Sequence, residues 1–130
     1  ASADHPLASL GRPVTVQELG QERWLLREIG SGTRELLDQL LLPHLGGFAS
    51  ATQLGDTEAI KQATAAGLGI SCLSRCAVGD QLALARLIVL QTTLPPLNRA
   101  FYRISHQFKR FSAPLHVLLE PGDMPRSIGA

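Results

Sequence analysis

WLLREIGSGTRELLDQLLL, residues 24–42, is the stretch that decides the fold. It opens with a brief apolar run at Trp24, turns at Gly30, and then places leucines at intervals that fit one face of a helix. Glycine suits such a turn because it adopts backbone conformations that other residues avoid. The stretch therefore predicts a strand, a glycine turn and a helix over residues 33–42.

The next stretch repeats this plan. Residues 48–54 (FASATQL) predict a strand, Gly55-Asp56 a break, and residues 57–66 a helix that Gly67 ends. The remaining predicted elements are a helical turn at residues 14–19 with a Thr15–Glu18 capping box, strands at 68–73, 87–90 and 100–105, a helix from Ser74 to about Ala85, and a helix at 112–119. Strand and helix alternate throughout, so the sequence predicts the α/β class, with a mainly parallel sheet flanked by helices.

The composition fits one soluble domain. Of 130 residues, 45% are hydrophobic and 18% are charged, which is enough apolar material to bury a core. The net charge is +1, and Lys61 and Lys109 are the only lysines, so no basic stripe can neutralise a nucleic-acid backbone. No apolar run approaches the roughly 20 residues of a membrane-spanning helix, and the N-terminus lacks the order of a signal peptide. We therefore expect a cytoplasmic protein that contacts neither a membrane nor, through these residues, DNA.

Residues that could carry catalysis or bind a metal are scattered. Cys72 and Cys76 lie in one apolar stretch, and we interpret them as reduced core thiols; a disulfide between them is the alternative. The histidines lack the spacing of metal ligands, and Ser31 and Thr33 have no base adjacent in sequence. The sequence therefore predicts no catalytic residue, no metal site and no cofactor.

Three stretches together resemble a known family. They are residues 4–8 (DHPLA) followed by 14–19, residues 27–34 (REIGSGTR), and residues 56–61 (DTEAIK) continuing through 66–73 (AGLGISCL). In this order they resemble the effector domain of LysR-type transcriptional regulators, which is similar in architecture to periplasmic binding proteins. Residues 86–90 and 99–112 resemble a late strand and the return crossing of the same domain.

The resemblance implies a domain organisation. Residues 1–130 correspond to part of an effector-binding domain: 6–96 to its second lobe, 1–5 and 97–120 to crossing segments and the final helix of the first lobe, and 121–130 to a loose tail. The family's helix-turn-helix domain would precede Ala1, so we expect DNA binding only through that absent N-terminal domain. Apolar residues within 100–119 would face the first lobe, which favours self-association as a dimer or tetramer.

A glycine turn is the first candidate effector site. Gly30, Ser31, Gly32 and Thr33 open a helix, so their backbone N–H groups and the positive end of the helix dipole suit a carboxylate or another anion. The alternative is that Ser31 and Thr33 only cap their own helix. The resemblance implies that this turn lines the cleft between the two lobes.

Gly55 and Asp56 open the following helix in the same way. Asp56 is a candidate helix cap; the resemblance implies that main-chain N–H groups here face the effector, in which case Asp56 disfavours a second anionic group on that ligand. Ser2 is the remaining candidate, because the family places a small hydroxyl residue against the ligand on the incoming crossing. Without the resemblance, Ser2 is a solvated terminus.

These observations leave three classes of function. The favoured class is the effector-sensing domain of a bacterial transcriptional regulator, in which a small anionic metabolite closes the cleft between lobes and shifts oligomer arrangement and DNA binding. The second is a lobe of a periplasmic solute-binding protein, which uses the same kind of cleft. The third, an enzyme, lacks support because no nucleophile is paired with a base.

Overall fold

The computed structural model describes residues 1–98, which fall within one structural unit, Ala1–Arg99. The strand and helix predicted at residues 100–105 and 112–119 lie outside the described residues, as does the surface expected to self-associate. In chain order, the elements are a 3-10 turn (Pro6–Ser9), α1 (Val16–Gln21), β1 (Arg23–Arg27), α2 (Gly32–Leu40), α3 (Leu42–Leu45), β2 (Ser50–Leu54), α4 (Thr57–Ala65) and α5 (Arg75–Ala83).

Two parallel strands form the centre of the described fold. β1 and β2 pair along their whole length, from Arg23 opposite Ser50 to Arg27 opposite Leu54. Three isolated bridges extend the pairing, two of them parallel (Trp24–Ile70 and Val14–Thr92) and one antiparallel (Ser2–Leu87). The predicted α/β class with a mainly parallel sheet is therefore confirmed.

β1 is the buried strand and β2 the exposed one. Trp24, Leu25 and Leu26 are each at most 3% exposed, whereas the first four residues of β2 are exposed. Leu37 from α2 packs in the same core. The indole Nε1 of Trp24 donates to the carbonyl of Leu19 at 2.8 Å, so the polar atom of this buried ring has a partner. The WLL run is thus a strand covered on both faces, which explains why it does not alternate with polar residues.

The predicted capping box of α1 is present. The hydroxyl of Thr15 accepts from the N–H of Glu18, and the Glu18 carboxylate accepts from the N–H of Thr15 at 2.9 Å. Arg12, which sequence reasoning did not single out, donates to both carboxylate oxygens of Glu18, at 2.6 and 3.0 Å. The hydrogen bonds from Arg12, and then from Thr15, lower the pKa of Glu18 to about 2.

The helix predicted over residues 33–42 is divided at Leu41. α2 ends at Leu40, and α3 begins at Leu42 with Pro43 in its first turn. Proline has no N–H to continue the helical ladder and is accommodated where that N–H would be free. The strand predicted at residues 48–54 begins two residues later, at Ser50. Phe48 lies before the strand, and its ring packs against the ring of Trp24 with centroids 5.3 Å apart.

Two predicted strands are wrong. Residues 68–73 pair with β1 only around Ile70, and Leu68 is 56% exposed. Residues 87–90 form a single bridge at Leu87, and Val89 is 53% exposed. Both apolar runs are therefore mostly irregular, although Ile70 and Cys72 from the first and Leu87 and Leu90 from the second are buried or pack against the core.

The way in which α4 and α5 end explains why the residues that follow them, 68–73 and 87–90, do not form the predicted strands from their first residue. Both helices end in a Schellman motif: in α4 the N–H groups of Gly67 and Leu68 donate to carbonyls of the last turn, and in α5 those of Ala85 and Arg86 do so. Gly67 and Ala85 hold the left-handed conformation that this motif requires, at φ +77° and +53°. The backbone of Leu68 and Arg86 is thus bonded to a helix end.

No helix within residues 1–98 is long and apolar enough to cross a membrane.

Candidate functional site

Two helices begin at the same edge of the sheet. Because β1 and β2 are parallel and in register, their carboxyl ends lie side by side at Arg27 and Leu54. α2 begins at Gly32 and α4 at Thr57, shortly after those ends. The partial positive charges of both helix N-termini therefore lie at one edge, the edge at which open α/β sheets bind ligands.

The turn before α2 leaves its donors open. Gly30 has φ +91°, and the N–H of Ser31 donates to the carbonyl of Glu28 at 3.1 Å, which closes the turn. Ser31 is the N-cap residue by backbone conformation, but its side chain makes no capping hydrogen bond. Within residues 1–98, the N–H groups of Gly32 and Thr33 have no hydrogen-bond acceptor. These groups are free to meet an anion, as far as the described part of the chain goes.

The turn before α4 is different, because Asp56 caps its own helix. One carboxylate oxygen of Asp56 accepts from the N–H of Ala59 at 2.7 Å. Gly55 is exposed, and a Cβ placed on it would meet no atom within 4 Å. The start of α4 thus carries a fixed negative charge, whereas the start of α2 carries none at its cap.

Arg27 connects the two turns. It is the last residue of β1, and its Nη1 donates to the hydroxyl of Thr57, the first residue of α4, at 2.9 Å. Its Nε and Nη2 donate to the two carboxylate oxygens of Glu28, each at 2.8 Å. The hydrogen bonds from Arg27 lower the pKa of Glu28 to about 2, and the bond to Glu28 raises the pKa of Arg27. A guanidinium group therefore lies at the edge where both helices begin.

A second guanidinium group, that of Arg34, lies next to the main chain of Arg27. Arg34 on α2 donates through Nε to both carboxylate oxygens of Asp38, at 2.9 and 3.0 Å. Its Nη1 lies 3.4 Å from the carbonyl oxygen of Arg27. Arg34 and Asp38 are one helical turn apart, and their ion pair offsets the charge of Arg34.

Ser2 lies apart from the two turns. It is 8% exposed, it bridges to Leu87, and its Oγ is 3.8 Å from the point where a Cβ on Gly67 would stand. Gly67 follows the carboxyl end of α4, so the nine residues of that helix, ~13 Å at 1.5 Å per residue, separate Ser2 from Asp56. The structure brings the Gly30–Thr33 turn and the Gly55-Asp56 turn to one edge and leaves Ser2 at the other end of α4. Ser2 is also not a solvated terminus.

Sequence reasoning missed Arg27 and Thr57 as members of this site. Arg27 was named from the sequence only as the first residue of the REIGSGTR motif, residues 27–34. One signal was present: a charged residue follows three buried apolar residues at the carboxyl end of a parallel strand, the edge at which open α/β sheets bind ligands. The hydrogen bond to Thr57 spans 30 positions in the chain, and no local pattern predicts such a contact.

The other polar groups of the described residues offer no second centre. Cys72 and Cys76 are both free thiols, and burial raises the pKa of the Cys72 thiol, which disfavours the reactive thiolate. Among residues 1–98, no group of three or more His, Cys, Asp or Glu side chains is placed to hold a metal ion.

Comparisons with known proteins identify relatives of this chain. A family model described as the LysR substrate binding domain matches residues 1–120. The chain is 47% identical, over 125 residues, to the uncharacterized HTH-type transcriptional regulator YeiE of Escherichia coli strain K12, covering 93% of this chain and 43% of that protein. It is 35% identical, over 112 residues, to the HTH-type transcriptional regulator CbbR of Rhodospirillum rubrum, covering 86% of this chain and 37% of that protein. The chain thus spans less than half the length of these relatives.

A solved structure is also similar. The regulatory domain of CcmR from Synechocystis PCC6803, in complex with 2-PG, superposes with a TM-score of 0.69 at 30% sequence identity. The match covers 92% of this chain and 57% of that one. The fold is therefore one that binds a small ligand in at least one solved relative.

Proposed function

Because the chain belongs to the family of LysR substrate-binding domains, we propose that the carboxyl edge of its parallel sheet binds a small anionic metabolite. The start of α2 carries this proposal. Within residues 1–98 its first N–H groups have no acceptor, and the guanidinium group of Arg27 lies at the same edge. The proposed site consists of Gly30, Ser31, Gly32 and Thr33 on one turn, Gly55 and Asp56 on the other, and Arg27 with Thr57 between them. Ser2 is not included, since α4 separates it from both turns.

Charge favours one anionic group at the α2 end of this site. The open N–H groups of Gly32 and Thr33 and the helix dipole attract an anion, whereas the carboxylate of Asp56 repels one. We therefore expect the negative end of the ligand to lie toward α2. The binding of 2-PG by the CcmR regulatory domain supports a small ligand at this fold.

In the complete protein, we propose that binding is coupled to transcription. The relatives are HTH-type transcriptional regulators that are more than twice as long as the matched segment. A ligand that binds one arrangement of lobes or subunits better than another shifts the population toward it. We infer that the protein is a cytoplasmic dimer or tetramer without enzymatic activity, in which DNA is bound by a helix-turn-helix domain outside this chain.

A proline substitution tests the role of the α2 donors directly. Gly32 is the first residue of α2, and Ser31 before it is extended at ψ 131°, so proline fits at this position. Gly32→Pro removes one N–H donor and keeps the helix, whereas Gly32→Ala adds a comparable Cβ and keeps the donor. Calorimetric titration of the full-length protein with 2-PG and with inorganic phosphate should show binding by Gly32→Ala and about tenfold weaker binding by Gly32→Pro, the cost of one hydrogen bond to a charged group.

Stability and side-chain variants complete the experiment. Proline at the first helical position should leave thermal unfolding of the ligand-free protein within a few degrees of that of Gly32→Ala. Ser31→Ala and Thr33→Ala measure what the hydroxyl groups add. Equal affinity of Gly32→Pro and Gly32→Ala for both probes would show that the ligand does not use this donor.

A further inference from the structure

All three side-chain nitrogens of Arg27 donate to protein groups, through three of the five N–H donors of the guanidinium group. Its fork donates to Glu28 through Nε and Nη2, and its third nitrogen donates to Thr57. The Arg27 side chain is 21% exposed and that of Glu28 is 43% exposed, so the carboxylate is the more accessible partner of the pair. An anion that approaches this edge therefore meets a guanidinium group already paired with a carboxylate.

The local charge balance opposes an anion in this state. The guanidinium groups of Arg27 and Arg34 are paired with the carboxylates of Glu28 and Asp38. Asp56 remains as a further carboxylate, bonded only to a backbone N–H. Glu35 and Glu58 also lie in the first turns of α2 and α4, so carboxylates outnumber guanidinium groups where both helices begin, although the helix dipoles favour an anion. Separation of Glu28 from Arg27 leaves a guanidinium group that can pair with an incoming anion instead.

We propose that Glu28 is an internal counter-ion of this site and thereby determines its affinity and selectivity. Without effector, the carboxylate of Glu28 pairs with Arg27. When the effector binds, its anionic group replaces Glu28 as the partner of Arg27. This inference rests on the function proposed above. The ligand class that it selects is an oxyanion, a carboxylate or a phosphate, because two parallel N–H donors match two oxygens of such a group. A monatomic anion such as chloride offers no second acceptor and competes poorly.

The backbone allows Glu28 to leave without unfolding the turn. The carbonyl of Glu28 accepts from the N–H of Ser31, which fixes the main chain while the exposed side chain is free to change rotamer. Thr57 continues to hold Arg27 through Nη1. The ordinary pKa of a glutamate side chain lies far below 7, so Glu28 leaves Arg27 as a carboxylate near neutral pH and carries its charge into solvent.

The test compares Glu28→Gln with Glu35→Gln in the full-length protein. Both variants remove one carboxylate near the start of α2, but Glu35 makes no side-chain hydrogen bond within residues 1–98. Calorimetric titration with 2-PG and with inorganic phosphate should show roughly threefold tighter binding by Glu28→Gln, the scale of a partly exposed ion pair, and a smaller change for Glu35→Gln. In an Arg27→Gln background, binding should weaken and Glu28→Gln should have no further effect.

Other outcomes separate this inference from the function on which it rests. If Glu28→Gln binds no tighter than Glu35→Gln, or gains as much in the Arg27→Gln background, Glu28 is not the counter-ion of the site. The proposed function then still stands, provided that Gly32→Pro loses affinity. If the unchanged protein binds neither probe, the anion site and the counter-ion are both overturned.

Discussion

The Schellman turn that ends α5 contains a residue poorly suited to it. Ala85 has φ +53°, a left-handed conformation that costs an L-residue with a Cβ ~1–2 kcal/mol. The equivalent position after α4 is Gly67, at φ +77°. Replacing Ala85 with glycine relieves the strain but adds ~0.4–1 kcal/mol of conformational entropy to the unfolded chain. The net expectation for Ala85→Gly is a gain of ~1 kcal/mol in the free energy of unfolding.

Gly67→Ala is the reciprocal change, and the structure allows its cost to be assigned. A Cβ on Gly67 would lie 3.8 Å from the Oγ of Ser2, an ordinary contact, so the penalty comes from the backbone conformation alone. We expect a loss of ~1 kcal/mol, equal in size to the gain from Ala85→Gly. The two substitutions thus measure the same conformational preference in opposite directions.

Urea unfolding of the full-length protein, followed by circular dichroism, measures both values. Ala83→Gly is the matched control, because Ala83 is the last residue of α5 and glycine within a helix costs ~1 kcal/mol. The midpoint should rise for Ala85→Gly and fall for Ala83→Gly, with unchanged slopes. If Ala85→Gly lowers the midpoint as Ala83→Gly does, Ala85 is not left-handed and the assignment of the turn is wrong.

Two further substitutions test the packing around α1. The depressed pKa of Glu18, about 2 against an ordinary 4.5, means that its ion pair with Arg12 stabilises the fold above pH 4.5 and is lost as the pH falls toward 2. Glu18→Gln should therefore lower the urea midpoint at pH 7 and make the fall of that midpoint below pH 4.5 shallower. If the midpoint of Glu18→Gln falls with acid as steeply as that of the unchanged protein or of the control Glu35→Gln, the ion pair does not stabilise the fold in this way. Trp24→Phe removes the donor to a carbonyl of α1 and should cost about 2 kcal/mol of unfolding free energy by the same measurement, whereas a change below about 0.5 kcal/mol would show that the bond is not formed in solution.

The sequence predicts the repeated units of this fold better than their connections. The strand, glycine turn and helix around residues 24–42 were predictable because burial and helical spacing are local signals, and the Thr15–Glu18 capping box because its two residues are three apart. The strand predicted at 68–73 was wrong because an apolar run does not reveal that its first N–H closes the preceding helix.

The candidate site shows the same division. The two glycine turns were predicted from their residues, and the parallel register of β1 and β2 places both turns at one edge of the sheet. Ser2 was misplaced relative to them, because the path of the incoming segment depends on a bridge to Leu87, 85 positions later in the chain. Arg27 was missed as a participant since its partners are set by tertiary packing.

The register of β1 and β2 has a mechanical consequence. Arg27 and Leu54 form the last rung of the pair, and both turns depart from that rung. Their separation is thus tied to the ~4.8 Å spacing of adjacent strands, which cannot widen without breaking backbone hydrogen bonds. This edge of the sheet is therefore a rigid template of fixed width. For the site proposed there, a different ligand would be accommodated by exchange of the side chains on the last rung, and not by a change in the width of the rung.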